Sequence, residues 1–243
     1  HLTQQHRIRS VDGVNVAGMI KGNTFPDEYV LVSAHYDHIG KKGKDINNGA
    51  DDNASGTSTV IELAQAFKIA QDKGLNPKRS VVFLLVTGEE KGLLGSEFYV
   101  EKPLVPLEQS IVDINIDMVG RIDKKYEENP EYIYVIGSDR LSTELHEVNE
   151  AVNRKYAHLT LDYTYNSEKD PNRFYYRSDH YNFAKKGIPA IFFFNGTHED
   201  YHRPSDTVEK IAFDKMTDVA RHIFTLTYTL ADMDQAIKVN VTP

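Results

Sequence analysis

What most restricts this chain is a set of short, almost continuously apolar runs, each ending abruptly on charged or imidazole residues. Tyr29–Ala34, Val81–Val86 and Ile191–Phe194 are such runs. Strands of this kind are usually buried on both faces, as in a sheet with helices above and below it. Segments of helical period alternate with them, which is the pattern of α/β architecture. The periodicity predicts strands at Asn15–Ile20, Tyr29–Ala34, Ser80–Thr87, Ser110–Ile116, Tyr132–Ile136 and Ala190–Phe194. It predicts helices at Ser55–Asp72, Leu141–Tyr156, Ser178–Lys186 and Asp214–Ala236. Arg121–Pro130 and Tyr163–Arg177 read as loops. With no internal repeat or low-complexity tract, residues 1–243 are expected to form a single domain.

Composition narrows the function. There are 28 Lys+Arg against 36 Asp+Glu, a formal net charge of −8. Phosphate binding needs a basic face, so nucleic acid is excluded as the main partner. No apolar run approaches the ~20 residues of a spanning helix, and no membrane span is expected. The absence of cysteine removes disulfides, thiolate zinc sites, iron–sulfur clusters and cysteine nucleophiles together. Any metal must then be held by His, Asp or Glu.

The chemistry-bearing residues collect after the strands. His35-Tyr36-Asp37-His38 follows the second strand, Glu89-Glu90 the third, Asp117 the fourth, and His198-Glu199-Asp200-Tyr201-His202 the last. Asp51-Asp52 stands just before the first helix. In open α/β sheets, sites form outside the carboxyl ends of the strands. If these strands are parallel neighbours, five separate clusters meet on one edge. Carboxylates pressed together without a cation repel, and some are forced to hold protons. A pair of divalent ions removes that conflict. Mixed His and carboxylate donors without sulfur suit Zn2+, with Mn2+ or Co2+ as substitutes.

His198-Glu199-Asp200-Tyr201-His202 also matches H-E-x-x-H, the single-zinc protease signature, which needs both histidines on one helix face. Here the motif follows a strand and the Asn195-Gly196 turn, and Pro204 biases Arg203 away from helix. His198 and Glu199 are therefore read as loop residues, with a mild effect expected from His198→Ala, and only His202 remains a ligand candidate. No phosphate loop or nucleophile elbow is present. Asn53, Asn195 and Asn240 open glycosylation-type triplets, two of them beside the expected site.

In order along the chain stand Ser33-Ala34-His35-Tyr36-Asp37, Gly49-Ala50-Asp51-Asp52-Asn53-Ala54-Ser55-Gly56, Gly88-Glu89-Glu90-Lys91-Gly92-Leu93-Leu94-Gly95-Ser96, Asn115-Ile116-Asp117-Met118 and Tyr201-His202-Arg203-Pro204-Ser205-Asp206-Thr207. This set resembles the co-catalytic dinuclear zinc aminopeptidases of metallopeptidase clan MH, relatives of glutamate carboxypeptidase and glutaminyl cyclase. The resemblance runs from about His35 to Thr207. It implies the zinc-dependent exopeptidase fold, a three-layer α/β/α sandwich around a central mixed, mostly parallel sheet. It implies that His35 and Asp117 bind one zinc, Glu90 and His202 the other, and that an aspartate bridges both. Asp51 and Asp52 compete for the bridge; the family spacing to Gly56 selects Asp52. Glu89 would be the general base, and Tyr201 a donor to the substrate carbonyl. The Asp37 carboxylate would orient His35. Asn53 stands where many members carry a second Asp, and the Cys pair of some members is missing.

The function implied is an exopeptidase acting on peptide substrates, most simply an aminopeptidase, with carboxypeptidase and dipeptidase action left open because the specificity pocket is not readable from the sequence. A glutaminyl cyclase-like acyltransferase or a non-catalytic receptor-like module of the same fold are the alternatives, and the complete ligand set disfavours both. Tyr163, Tyr165, Phe174, Tyr175 and Tyr176 either line an apolar substrate pocket or pack on their own domain, and Arg177-Ser178-Asp179-His180 is expected near the substrate terminus. By family analogy the protein is secreted or periplasmic, and a start at His1 rather than Met agrees with a removed leader.

Overall fold

A computed structural model describes residues 11–242; the His1 start lies outside them. The principal strands are β1 (Val16–Ile20), β2 (Phe25–His35), β5 (Arg79–Val86), β6 (Ser110–Ile116), β7 (Tyr132–Ile136), β8 (Thr160–Asp162) and β9 (Ala190–Phe194). A small hairpin, β3 (Lys41–Lys42) and β4 (Asp45–Ile46), stands apart from them. The helices are α1 (Gly56–Asp72), α2 (Leu94–Glu101), α3 (Thr143–Val152), α4 (His180–Ala184) and α5 (Phe213–Asp232).

Seven strands form one mixed sheet in the order β1-β5-β2-β6-β9-β7-β8. The contiguous group β5, β2, β6 and β9 is parallel, while β1 on β5 and β7 on β9 run antiparallel. The period of two explains why the central strands read as unbroken apolar runs. Val30, Val32 and Ala34 face one layer with Val81 and Phe83, whereas Tyr29 and Leu31 face the other with Val82, Leu84 and Val86. The first layer is closed by α1, α3 and α5 through Val60, Leu63, Phe67, Leu145, Val152, Val219 and Ile223. The second is closed by α2 and α4 through Tyr99, Val100 and Phe183. The chain is thus a three-layer α/β/α sandwich. No helix among the described residues is long and apolar enough to cross a membrane.

Most predicted limits recur within a residue or two, and the departures have local causes. Asn15 stays out of β1 because its side chain ties loops together, accepting from Thr87 N at 3.1 Å and donating to Gly95 O at 2.8 Å. The predicted helix Leu141–Tyr156 begins at Thr143, where Ser142 Oγ accepts from Leu145 N, and widens into a looser turn over Asn153–Ala157. The predicted Ser178–Lys186 helix shrinks to α4 because Ser178 and Asp179 are drawn into a buried polar network described below. The short elements α2, β8 and the β3–β4 hairpin were not foreseen; each is too brief to carry a period.

Buried histidine couples this core to pH. His222 on α5 is fully buried, with Nε2 at 2.9 Å from Asn149 Oδ1 and its ring edge-on to Phe193. Burial disfavours the imidazolium and pushes its pKa down from 6.5 to about 4. Between those values the unfolded chain takes up a proton that the folded chain refuses. The associated stability is complete above pH 6.5 and is lost as pH falls through 4. A His222→Gln variant should therefore lose less stability than wild type between pH 6.5 and 4 in urea unfolding of the metal-free proteins. Equal losses would refute the assignment.

Candidate metal centre

The parallel strands β5, β2, β6 and β9 all end on one edge of the sheet. His35 is the last residue of β2, Glu89 and Glu90 open the turn after β5, Asp117 follows β6, and His202 lies in the loop after β9. Asp52 arrives from the irregular turn Ala50–Ser55 ahead of α1. That turn can reach the strand ends because Gly56 lets α1 approach β6: a Cβ there would lie 2.3 Å from Ile116 O.

The Asp52 carboxylate lies between two imidazoles. Its Oδ1 is 3.4 Å from His35 Nε2 and its Oδ2 is 3.0 Å from His202 Nε2. On the His35 side, Asp117 Oδ1 is 3.3 Å from His35 Nε2, and a Glu89 oxygen is within 4.8 Å of both donors. On the other side, Glu90 Oε2 is 3.2 Å from His202 Nε2. Residues expected from five separate stretches of sequence are therefore neighbours. His38 joins them, with Nδ1 at 2.9 Å from Glu90 Oε1. Its only sequence signal was a second imidazole three residues past His35.

Asp51 and Asp52 have separate partners. Asp51 is fully buried: Oδ1 accepts from Gly120 N (2.7 Å) and Ser55 Oγ (3.0 Å), and Oδ2 faces Asn195 Nδ2 and His198 Nε2, each at 3.1 Å. Asp206, four residues past His202, accepts the backbone N–H of Asp51 at 3.0 Å and of Asp52 at 3.2 Å. One carboxylate thus ties the His202 loop to the Asp52 turn. Asp117 is steadied at Oδ2 by Ser178 Oγ (2.7 Å), which accepts from Asn115 Nδ2 (2.7 Å). His202 itself is left-handed at φ 57, a conformation that costs a non-glycine residue about 1 kcal/mol and that the loop's contacts must hold.

Several expectations change in detail. The acceptor nearest His35 Nδ1 is the Asp37 main-chain carbonyl at 3.1 Å; the carboxylate is 3.8 Å away and instead accepts Glu89 N at 3.1 Å. Its side chain therefore seats Glu89, and its backbone orients His35. No helix spans His198–His202, as the zincin motif would require, yet the His198 side chain is buried against Asp51 rather than free in a loop. Asn53 and Asn195 are buried and bonded to Ile116 O and Asp51, which leaves no room for a glycan. Of the aromatic candidates, Phe174 lines the hollow that holds Asp52, Glu89, Asp117 and Tyr201, while Tyr163 turns away to Glu150. Tyr175 and Tyr176 belong to a separate groove beside Arg140. Arg177 Nη2 is 3.4 Å from the Tyr201 hydroxyl.

The charge balance is that of a cation site. Burial opposes charge on His35, but Asp117 and Asp52 outweigh it and raise its pKa well above 6.5. Hydrogen bonds to Asp52 and Glu90 push His202 up to about 10. Burial pushes Glu89 up to about 9. The carboxylates are thus held together by protons on their neighbours, and a divalent cation is the natural replacement for those protons. Burial, with Asp52 and Asp117 nearby, raises the Tyr201 phenol, which stays an O–H donor.

The fold and this edge of carboxylates and imidazoles define an α/β protein with a candidate paired-metal centre. A profile of peptidase family M28 matches residues 15–227, and the chain belongs to that family. Aminopeptidase YwaD of Bacillus subtilis (strain 168) is 31% identical over 211 residues, covering 83% of this chain and 41% of that protein. A probable leucine aminopeptidase of Trichophyton verrucosum is 30% identical over 228 residues, covering 89% of this chain and 57% of its own length. Among solved structures, BSAP, a zinc aminopeptidase from Bacillus subtilis, superposes with a TM-score of 0.72 at 26% identity, covering 93% of this chain and 53% of that one. The chain spans about half the length of these relatives.

His198→Ala separates the two roles that the H-E-x-x-H segment offers. Losing the imidazole leaves the buried Asp51 carboxylate short of one partner, at a cost of about 1–3 kcal/mol. Chemical denaturation should show that loss while metal content stays at the wild-type level. Loss of metal with unchanged stability would restore the zincin reading.

Proposed function

We propose that this chain is the catalytic part of a zinc-dependent aminopeptidase that holds two zinc ions at the sheet edge and removes N-terminal residues from peptides. The observation that carries the reading is the Asp52 carboxylate set between His35 and His202, with Asp117 and Glu90 as a further carboxylate on either side. The donors are all nitrogen and oxygen, the kind of set that zinc peptidases such as the His2Glu enzymes use. Relatives named as aminopeptidases, one of them a zinc enzyme, support the same reading.

In this proposal His35 and Asp117 would hold one ion, Glu90 and His202 the other, with Asp52 placed to contribute to both. When bound, such an ion pair supplies Lewis acidity for the scissile carbonyl and for an attacking water. Glu89 stands beside the donors of His35 and Asp117, with its backbone fixed by Asp37. In its ionised form, which burial alone disfavours and positive charge beside it restores, it takes the proton of the attacking water and returns it to the departing amine. Tyr201 donates its hydroxyl hydrogen to the carbonyl oxygen as negative charge builds there. Met118, Phe174, Phe192 and Phe194 give the adjoining hollow apolar walls for a side chain.

Hydrolysis of aminoacyl-p-nitroanilides, abolished by a chelator and restored by Zn2+, is the expected result. N-blocked peptides should resist; their cleavage from the carboxyl end would replace the aminopeptidase reading with a carboxypeptidase one. Glu89→Gln should retain its metal and lose about 10²–10⁴-fold in kcat. Near-normal turnover in that variant would remove Glu89 from the mechanism.

A further inference from the structure

His38 is enclosed and unsatisfied. Its side chain is 11% exposed, and both ring nitrogens are shut off from solvent without a hydrogen-bond partner, as is Glu90 Oε1. Yet His38 Nδ1 lies 2.9 Å from that same Glu90 oxygen and 3.9 Å from Asp52 Oδ2. Buried polar atoms left unpaired are costly and need a partner. Two of them brought this close, but not aligned as donor and acceptor, are explained if both point at a third atom between them.

The spacing around that point is the spacing of a coordination shell. Donor atoms on a tetrahedral zinc are about 3.3 Å apart, the edge of a tetrahedron with bonds near ~2 Å. Here His202 Nε2 is 3.0 Å from Asp52 Oδ2 and 3.2 Å from Glu90 Oε2, while His38 Nδ1 is 2.9 Å from the other Glu90 oxygen, Oε1, and 3.9 Å from Asp52 Oδ2. The rings of His38 and His202 meet edge-on, with centroids 5.8 Å apart. The seat of the ring is also built into the chain. Gly49, at φ +63, passes so close behind it that a Cβ would lie 2.7 Å from His38 Cγ.

We infer that His38 is a sixth protein donor of the centre, completing a four-donor site with Asp52, Glu90 and His202. The His35 side offers His35, Asp52 and Asp117; Glu89 is also within 4.8 Å of His35 and Asp117, but as the general base of the proposed function it leaves that side with three donors and an open position. Four protein donors are the pattern of a closed, structural zinc site, and three with an open position that of a catalytic one. The two ions are then unequal: the first binds tightly on the His38 side, the second more weakly next to Glu89. The inference rests on the two-ion reading above and adds an order of loading to it.

Metal-free wild type and the variants His38→Ala and His38→Asn are titrated with Co2+ and with Zn2+ against a chelating indicator, with unfolding temperatures of the metal-free forms as a check on folding. Wild type should bind two ions in two steps, the first giving the intense visible bands of four-coordinate cobalt. Both variants should weaken the first step by about 10-fold or more, with fainter bands, and leave the second step unchanged. In wild-type protein loaded with Co2+, paramagnetically shifted proton signals from three ligated imidazoles are expected, a measurement that needs no variant. Signals from only two imidazoles, or an unchanged first step and spectrum in the variants even if turnover changes, would reduce His38 to a neighbour of Glu90 and overturn the inference. A wild-type protein that binds no ion would overturn the two-ion reading itself.

Discussion

The structure depends on the crowding of like charge at one sheet edge. Asp52, Glu89, Glu90 and Asp117 gather there, and the side chains of Asp52 and Glu90 are each only 5% exposed. Such a group is stable only if positive charge sits among its members. The histidines supply it when protonated, and divalent cations supply it better. Asp52 is the critical member because its two oxygens serve both halves of the centre. An error in its placement displaces both at once.

Much of the surrounding chain works to hold that carboxylate. Asp206 grips the backbone of Asp51 and Asp52 from the His202 loop, and the adjacent Asp51 turns inward to bind Gly120, Ser55, Asn195 and His198. Paired aspartates that look alike in sequence thus divide the work, one anchoring the turn and the other facing the centre. Beneath Asp117, the Ser178–Asn115 pair joins the sheet to the start of α4. These bonds lie in the interior, where hydrogen bonds to charged groups are strongest and are least exposed to competing water.

The fold was legible wherever a period ran long enough to be read. Tyr132–Ile136 and Ala190–Phe194 are strands over the predicted limits, because each is apolar on both sides and bounded by turn or charged residues; Ser110–Ile116 is also a strand over its predicted limits, although Asp113 and Asn115 make one of its faces polar. α2 was not legible: its eight residues follow Gly92-Leu93 and include Gly95, which packs against Thr87 O rather than promoting helix. His198 resembled a free loop residue because its partner, Asp51, lies far from it along the chain. The contribution of Asp37 was also hidden, since its backbone carbonyl, not its side chain, is nearest His35.

By itself the sequence determined the α/β class, the exclusion of sulfur ligands and the family, because these follow from residue types, periods and the order of motifs. It also marked the strand ends as the place where charge gathers. Only the tertiary structure decided which oxygens and nitrogens converge, since that depends on β5, β2, β6 and β9 lying side by side and parallel. The same packing separated Asp51 from Asp52, buried His198 and brought His38 against Glu90. A motif specifies neighbours along the chain, whereas a coordination shell is a property of neighbours in space.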